Sequence, residues 1–254
     1  MSRIMAHRGA RNLWAENSLL GFRNTLEYGF DAVEFDVHLT DEGEMVVIHD
    51  ATLERTTNGS GDVRKLTQAE RKQLKLRGPD GALIDECPPT LEEVLAILAQ
   101  DPRIEPWVEL KSGGDGRPYD GLVEKASAAL RSAGLAARAA LHSFDVSVVE
   151  RVREIAPEMR RLVSVNAQSA ARHGGLAAMM EKLRGLPHIL GVHHELFAAE
   201  FDLIASDWGV ENCSVWTIND PDQMRRWLAV KPLFIVSDDP VTLQALMREM
   251  EPGQ

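Results

Sequence analysis

The stretch from Val33 to Asp50, VEFDVHLTDEGEMVVIHD, carries two acids two positions apart in an apolar run, Glu34 and Asp36, and ends on His49 beside Asp50. Residues two apart on a strand point the same way, so the two carboxylates share a face. Glu109 and Lys111 repeat the spacing in VELK, and His7 and Arg8 open HRG near the start of the chain. Three carboxylates without thiols suit one hard divalent cation, Mg²⁺ or Ca²⁺, with Mn²⁺ as a further candidate. Without a cation their charges repel and at least one pKa should rise. His7 and His49 carry imidazoles that titrate near neutral pH and divide into a general acid and a general base. Arg8 and Lys111 are cations for a phosphate, Arg as a bidentate partner and Lys as a point charge. Taken singly, each acid reads as a solvated surface group and each histidine as structural. Their shared spacing favours a site.

Such residues need elements that bring them together. Short β-rich runs alternate with helical patterns from end to end: Ile4 to His7, Ala32 to Val37, Trp107 to Lys111, Ala139 to His142, Arg161 to Val165, Ile189 to His193, Ser214 to Ile218 and Leu233 to Ser237. Asn17 reads as the cap of a helix that runs to Tyr28 before Gly29, and Thr90 with Glu93 forms a capping box. Asp220 and Asp239 are N-caps, each followed by a proline at the first helical position. Eight strand–helix units predict an α/β fold, a closed (β/α)₈ TIM barrel, whose active site forms where strand C-termini meet the following loops. The reactive residues gather at those ends. The TDEGE turn returns His49 to the same rim. The interval Asp50 to Pro89 is too long for an ordinary βα loop, and reads as a small subdomain inserted after the second strand of a single-domain chain, 1–254.

Composition narrows the partners. The chain has 254 residues, 44% hydrophobic and 26% charged, and a formal net charge of −11. That charge argues against a nucleic-acid surface, where a basic stripe would be expected, but leaves an anionic small molecule open. No apolar run approaches the roughly 18 residues of a membrane span. The N-terminus has no long apolar leader segment, and Cys87 and Cys213 are too few for a disulfide framework. These features predict a cytoplasmic chain; a homo-oligomer is left open.

The ordered set AHRGA, ENS, VEFDVHLTDEGEMVVIHD, LERTTNGSG, PTLEEVL, VELK, SFD, VWTIND and SDDP resembles the glycerophosphodiester phosphodiesterase family, through nearly the whole chain. The resemblance implies a barrel hydrolase that cleaves a glycerophosphodiester to glycerol 3-phosphate and an alcohol. It implies metal ligands at Glu34, Asp36 and Glu109, a catalytic histidine pair at His7 and His49, phosphate contacts at Arg8 and Lys111, and a site tryptophan at Trp216. It also implies a route in which the glycerol 2-hydroxyl attacks, and water then opens a cyclic phosphate. Two departures stand out. Ala15 replaces the proline of the usual Pro-Glu-Asn, and GVHHELFAAEFD matches no strong family pattern, which leaves the alcohol-side pocket unassigned.

Weaker signals surround this set. Phe144, just after the fourth strand, joins Trp216 as a wall of the pocket. His193, His194 and His142 follow strand ends but read equally as satisfied loop histidines. His38 is assigned to the face opposite Asp36 and left out of the site, and Asn17 and Asp238 are explained as cap or turn residues. A rival function keeps the same metal and histidines but acts on lysophospholipids or sphingolipids and stops at a cyclic product. A non-catalytic phosphodiester-binding barrel would be expected to lack a histidine or an acid, and the set is complete.

Overall fold

The computed structural model describes residues 1–250. Eight parallel strands close on themselves: β1 (Arg3–His7), β2 (Ala32–Leu39), β4 (Glu105–Leu110), β5 (Ala140–Ser143), β6 (Arg160–Val165), β7 (Ile189–His193), β8 (Cys213–Trp216) and β9 (Phe234–Ser237). Each pairs with the next in that order, and β9 pairs back to β1. A ninth strand, β3 (Met45–Val47), lies antiparallel on the far end of β2, with Val37 opposite Val47. The helices α1 (Leu19–Tyr28), α3 (Leu91–Leu98), α4 (Leu122–Ser132), α5 (Val146–Ile155), the pairs α6 (Ala167–Arg172) with α7 (Leu176–Leu183) and α8 (His194–Ala199) with α9 (Phe201–Asp207), α10 (Pro221–Val230) and α11 (Pro240–Met250) follow the strands. The architecture is the expected (β/α)₈ barrel.

Burial on two sides explains the strand sequences. All eight residues of β2 are buried. Val33, Phe35 and Val37 pack outward in one cluster with Phe22, Leu91 and Leu95. Met5, Ala32, Trp107, Leu162, Phe234 and Val236 form a separate cluster, which plugs the barrel interior. The even-numbered residues of β2 share that inner side, so Glu34 and Asp36 stand above the apolar plug.

The capping expectations hold at three helices. Thr90 and Glu93 form a reciprocal capping box on α3, the Asp220 side chain accepts from Asp222 and Gln223 with Pro221 at the first position, and Asp239 accepts from the Thr242 amide. At α1 the cap is Ser18 rather than Asn17, because the Ser18 hydroxyl accepts from the Gly21 amide. Asn17 instead takes a left-handed conformation, φ 56°, and turns its side chain into the site. Between β3 and α3, the interval Asp50 to Pro89 holds a 3₁₀ turn at Val63–Lys65 and the short α2 (Gln68–Arg71). Leu53, Val63 and Leu66 pack on Val46 and Ile48. The Arg71 guanidinium is buried and bonds Glu44 and the Pro88 carbonyl.

The first turn of α1 lies close against the loop that leaves β1. A Cβ at Gly21 would sit 2.6 Å from the Gly9 carbonyl oxygen, a backbone atom that cannot rotate away. Alanine gains about 1 kcal/mol over glycine in a helix, but forced overpacking costs about 1–3 kcal/mol. Gly21→Ala is therefore expected to destabilise the protein, by up to about 2 kcal/mol in urea unfolding. A stabilised variant would mean that this contact relaxes freely.

Candidate active site

Parallel register sets Asp36 beside Glu109 across β2 and β4. Oxygen atoms of Glu34, Asp36 and Glu109 all lie within 4.8 Å of one another, and all three side chains are buried. Two cations stand against them. Arg8 approaches Asp36 at 3.3 Å and Glu16 at 3.2 Å, while Lys111 approaches Glu109 at 2.9 Å and Asp36 at 3.4 Å. Burial alone would raise the Asp36 pKa, but the charges of Arg8, Lys111 and His49 and a hydrogen bond from Asn17 hold it well below the usual carboxylate range. Lys111 is likewise desolvated, yet Glu109 and Asp36 keep its pKa raised. Asp36 Oδ1 is buried without a hydrogen-bond partner. That oxygen faces the Lys111 ammonium at 3.4 Å but accepts no hydrogen bond, and within a set of hard oxygen donors it fits a divalent cation.

The two histidines are built alike. His7 Nδ1 lies 2.5 Å from Asp238 Oδ1, and His49 Nδ1 lies 2.6 Å from Asp50 Oδ1. Burial acts to raise Asp238, but its hydrogen bond and charge contacts with His7, Arg11 and Asn219 hold it well below the ordinary value. Hydrogen bonds from Arg55 hold Asp50 low, against partial burial and with help from His49. A carboxylate only accepts, so each Nδ1 carries the proton. His7 Nε2 then faces Glu34 at 3.7 Å, and both rings line one cavity.

That cavity of about 100 Å³ runs from the acids down to the apolar plug, and Arg8, Glu34, Glu109, Phe144 and Trp216 also line it. Phe144 and Trp216 meet edge to face, with centroids 5.5 Å apart. A wider cavity of about 640 Å³ lies beyond Phe144, with Lys111, Asn166 and Arg172 on its wall. All nine residues expected from the sequence (His7, Arg8, Glu34, Asp36, His49, Glu109, Lys111, Phe144 and Trp216) thus lie in one neighbourhood. His142 joins them, its Nε2 3.6 Å from Glu34 and unpartnered. His193 packs against the edge of Trp216, 5.1 Å between centroids.

Several neighbours escape the sequence reading. Asn17 donates to Asp36 Oδ2 at 3.1 Å. Asp238 is a partner of His7 rather than a turn residue alone, and Asn219 donates to its second oxygen at 2.8 Å. Arg55, from the long interval after β3, makes paired bonds to Glu16 and to Asp50 and so ties that interval to the rim. His38 shares the face of Asp36, contrary to the expectation from the sequence: residues two apart on a strand point the same way, and its ring is bonded to the His49 carbonyl. The spacing in DVH was the available signal there. Asp238 and Arg55 fall within SDDP and LERTTNGSG, but nothing in those stretches gives their roles, because His7 and Glu16, which they reach, lie far away in sequence.

Fold and site together define a (β/α)₈-barrel enzyme with an acidic cluster and two carboxylate-backed histidines at its mouth. The model of the glycerophosphoryl diester phosphodiesterase family matches residues 7–242, and the chain belongs to that family. A glycerophosphodiester phosphodiesterase of Caldanaerobacter subterraneus subsp. tengcongensis is 30% identical over 254 residues, covering 97% of this chain and 98% of the relative. A solved protein of Agrobacterium tumefaciens superposes with a TM-score of 0.88 at 30% identity, over 98% of both chains. A phosphodiesterase of Oleispira antarctica, solved with the product sn-glycerol-3-phosphate, superposes with a TM-score of 0.77 at 25% identity, over 98% of this chain and 97% of its own. Among the described residues no helix is long and apolar enough to cross a membrane.

Proposed function

We propose that the protein hydrolyses glycerophosphodiesters to sn-glycerol 3-phosphate and an alcohol. The observation that carries this reading is the pair of carboxylate-backed imidazoles, His7 and His49, lining one cavity with Glu34 and Glu109 of the acidic cluster. Family membership supplies the substrate class. In this reading residues 1–254 act as a single barrel domain, with 50–89 as its insertion. The protein works in the cytoplasm, a location to which the free thiols Cys87 and Cys213 lend support.

Glu34, Asp36 and Glu109 would hold one divalent cation, Mg²⁺ or Ca²⁺, which when bound would offset phosphodiester charge and polarise a phosphoryl oxygen. Arg8 and Lys111 contact the phosphate oxygens from the same rim. Nε2 of one histidine takes the proton of the attacking oxygen, and Nε2 of the other protonates the leaving alkoxide. With the glycerol 2-hydroxyl as attacker, the first step closes a cyclic phosphate. Water opens it in the second step, as the first acid becomes the base. Phe144 and Trp216 wall the pocket and help to exclude water.

³¹P NMR of glycerophosphocholine with the purified protein tests the reading. A glycerol 3-phosphate signal is expected with Mg²⁺ or Ca²⁺, lost on chelation and regained when the ion is returned. No turnover with either ion would refute it for this substrate, and failure across other glycerophosphodiesters would refute the class.

A further inference from the structure

We infer that His38, through Tyr119, is a positioning residue for His49. The His38 ring is 1% exposed, and both of its nitrogens are engaged. Nε2 lies 3.0 Å from the His49 carbonyl oxygen and Nδ1 lies 2.9 Å from the Tyr119 hydroxyl. A carbonyl only accepts, so Nε2 carries the proton, Nδ1 is the acceptor, and the Tyr119 hydroxyl donates. The chain of bonds therefore has one direction, from Tyr119 O–H to His38 to the His49 carbonyl. Burial shuts both ring bonds away from solvent. It also pushes the Tyr119 pKa up to about 12, which keeps the hydroxyl a donor.

The position needs such support. His49 stands two residues beyond the three-residue β3, in irregular backbone, and its side chain is 30% exposed. Asp50 fixes the ring, but Asp50 is itself the next loop residue. Ile48 is anchored by a bond to the Asp36 carbonyl, and the His38 bond anchors the following carbonyl. Tyr119 lies in the segment that follows Lys111, so the same ring couples the loop after β4 to the loop after β3. A displacement of about 1 Å in a reacting group costs as much as about 10²-fold in rate. Removing the anchor should lower kcat without weakening phosphate contacts made by Arg8 and Lys111.

The inference rests on the reading of His49 as catalytic, and the test separates the two. His38→Ala is expected to lower kcat by about 10- to 100-fold with KM changed less than about threefold. His38→Gln, whose amide N–H reaches toward the same carbonyl, is expected to recover most of that loss. Tyr119→Phe removes only a hydroxyl and should cost a few-fold, which supplies a second, milder variant should His38→Ala fold poorly. On a His49→Ala background both substitutions should cost almost nothing further, because groups acting as a unit are not additive. An unchanged kcat in His38→Ala, no recovery with glutamine, or a full extra loss on the His49→Ala background would overturn the inference. A fully active His49→Ala protein would instead overturn the reading of His49 beneath it.

Discussion

His7→Ala and His49→Ala are each expected to lower kcat on a glycerophosphodiester by about 10²–10⁴-fold, the usual contribution of a positioned acid or base. Both proteins should keep the wild-type fold. The reason lies in the partners each ring leaves behind. Without His7, Asp238 still pairs ionically with Arg11 and accepts a hydrogen bond from Asn219. Without His49, Asp50 still accepts two bonds from Arg55. Neither substitution strands a buried charge, so a melting temperature close to wild type should accompany the loss of turnover. Combining them should cost far less than the product of the single losses, since in the proposed route both act on one proton-transfer sequence. Full turnover in either folded variant would exclude that ring from the chemistry.

The second large effect separates binding from stability within the acidic cluster. Asp36→Asn and Glu34→Gln should both abolish tight Mg²⁺ or Ca²⁺ binding by calorimetry, and both should silence the enzyme. They should differ in unfolding. Asp36 is wholly buried and lies between Arg8 and Lys111. Removing its charge weakens the pairing of two buried cations, a loss of about 3–5 kcal/mol when no other partner remains. Arg8 keeps Glu16 and Lys111 keeps Glu109, so the expected cost falls below that range, at about 2 kcal/mol. Among the described residues, Glu34 has only the imidazoles of His7 and His142 as side-chain ionic partners, at 3.7 and 3.6 Å. Its amide should cost less than about 1 kcal/mol. Equal stability of the two variants would refute this division, and retained ion binding in both would refute the metal site itself.

Much of this site is legible in the amino-acid sequence because β-strand periodicity converts spacing into direction. Glu34 with Asp36, and Glu109 with Lys111, needed only the alternation of the pleat and the rule that barrel chemistry sits at strand ends. The caps at Thr90, Asp220 and Asp239 are equally local. Asn17 shows where local reasoning misleads. Asn17 and Ser18 both suit a cap, and only the close packing of α1 against the β1 loop gives that role to Ser18 and sends Asn17 toward Asp36. His38 was within reach, since its parity with Asp36 follows from the same alternation that paired the acids. Asp238 and Arg55 were not. Their importance comes from tertiary contacts with His7 and Glu16 that no spacing announces.

The two histidine–carboxylate pairs also differ in when they can exist along the path from chain to fold. His49 and Asp50 are neighbours in sequence, and the antiparallel pairing of β2 with β3 that leads to them is local. His7 and Asp238 lie 231 positions apart and meet where the first strand pairs with the last. Local pairings form early and long-range closure late. One of the two pairs can thus be assembled in a short fragment, while the other waits for the C-terminal strand to seal the barrel. Under the proposed two-histidine route, a chain whose last strand has not docked would hold one pair alone and would not turn over phosphodiesters.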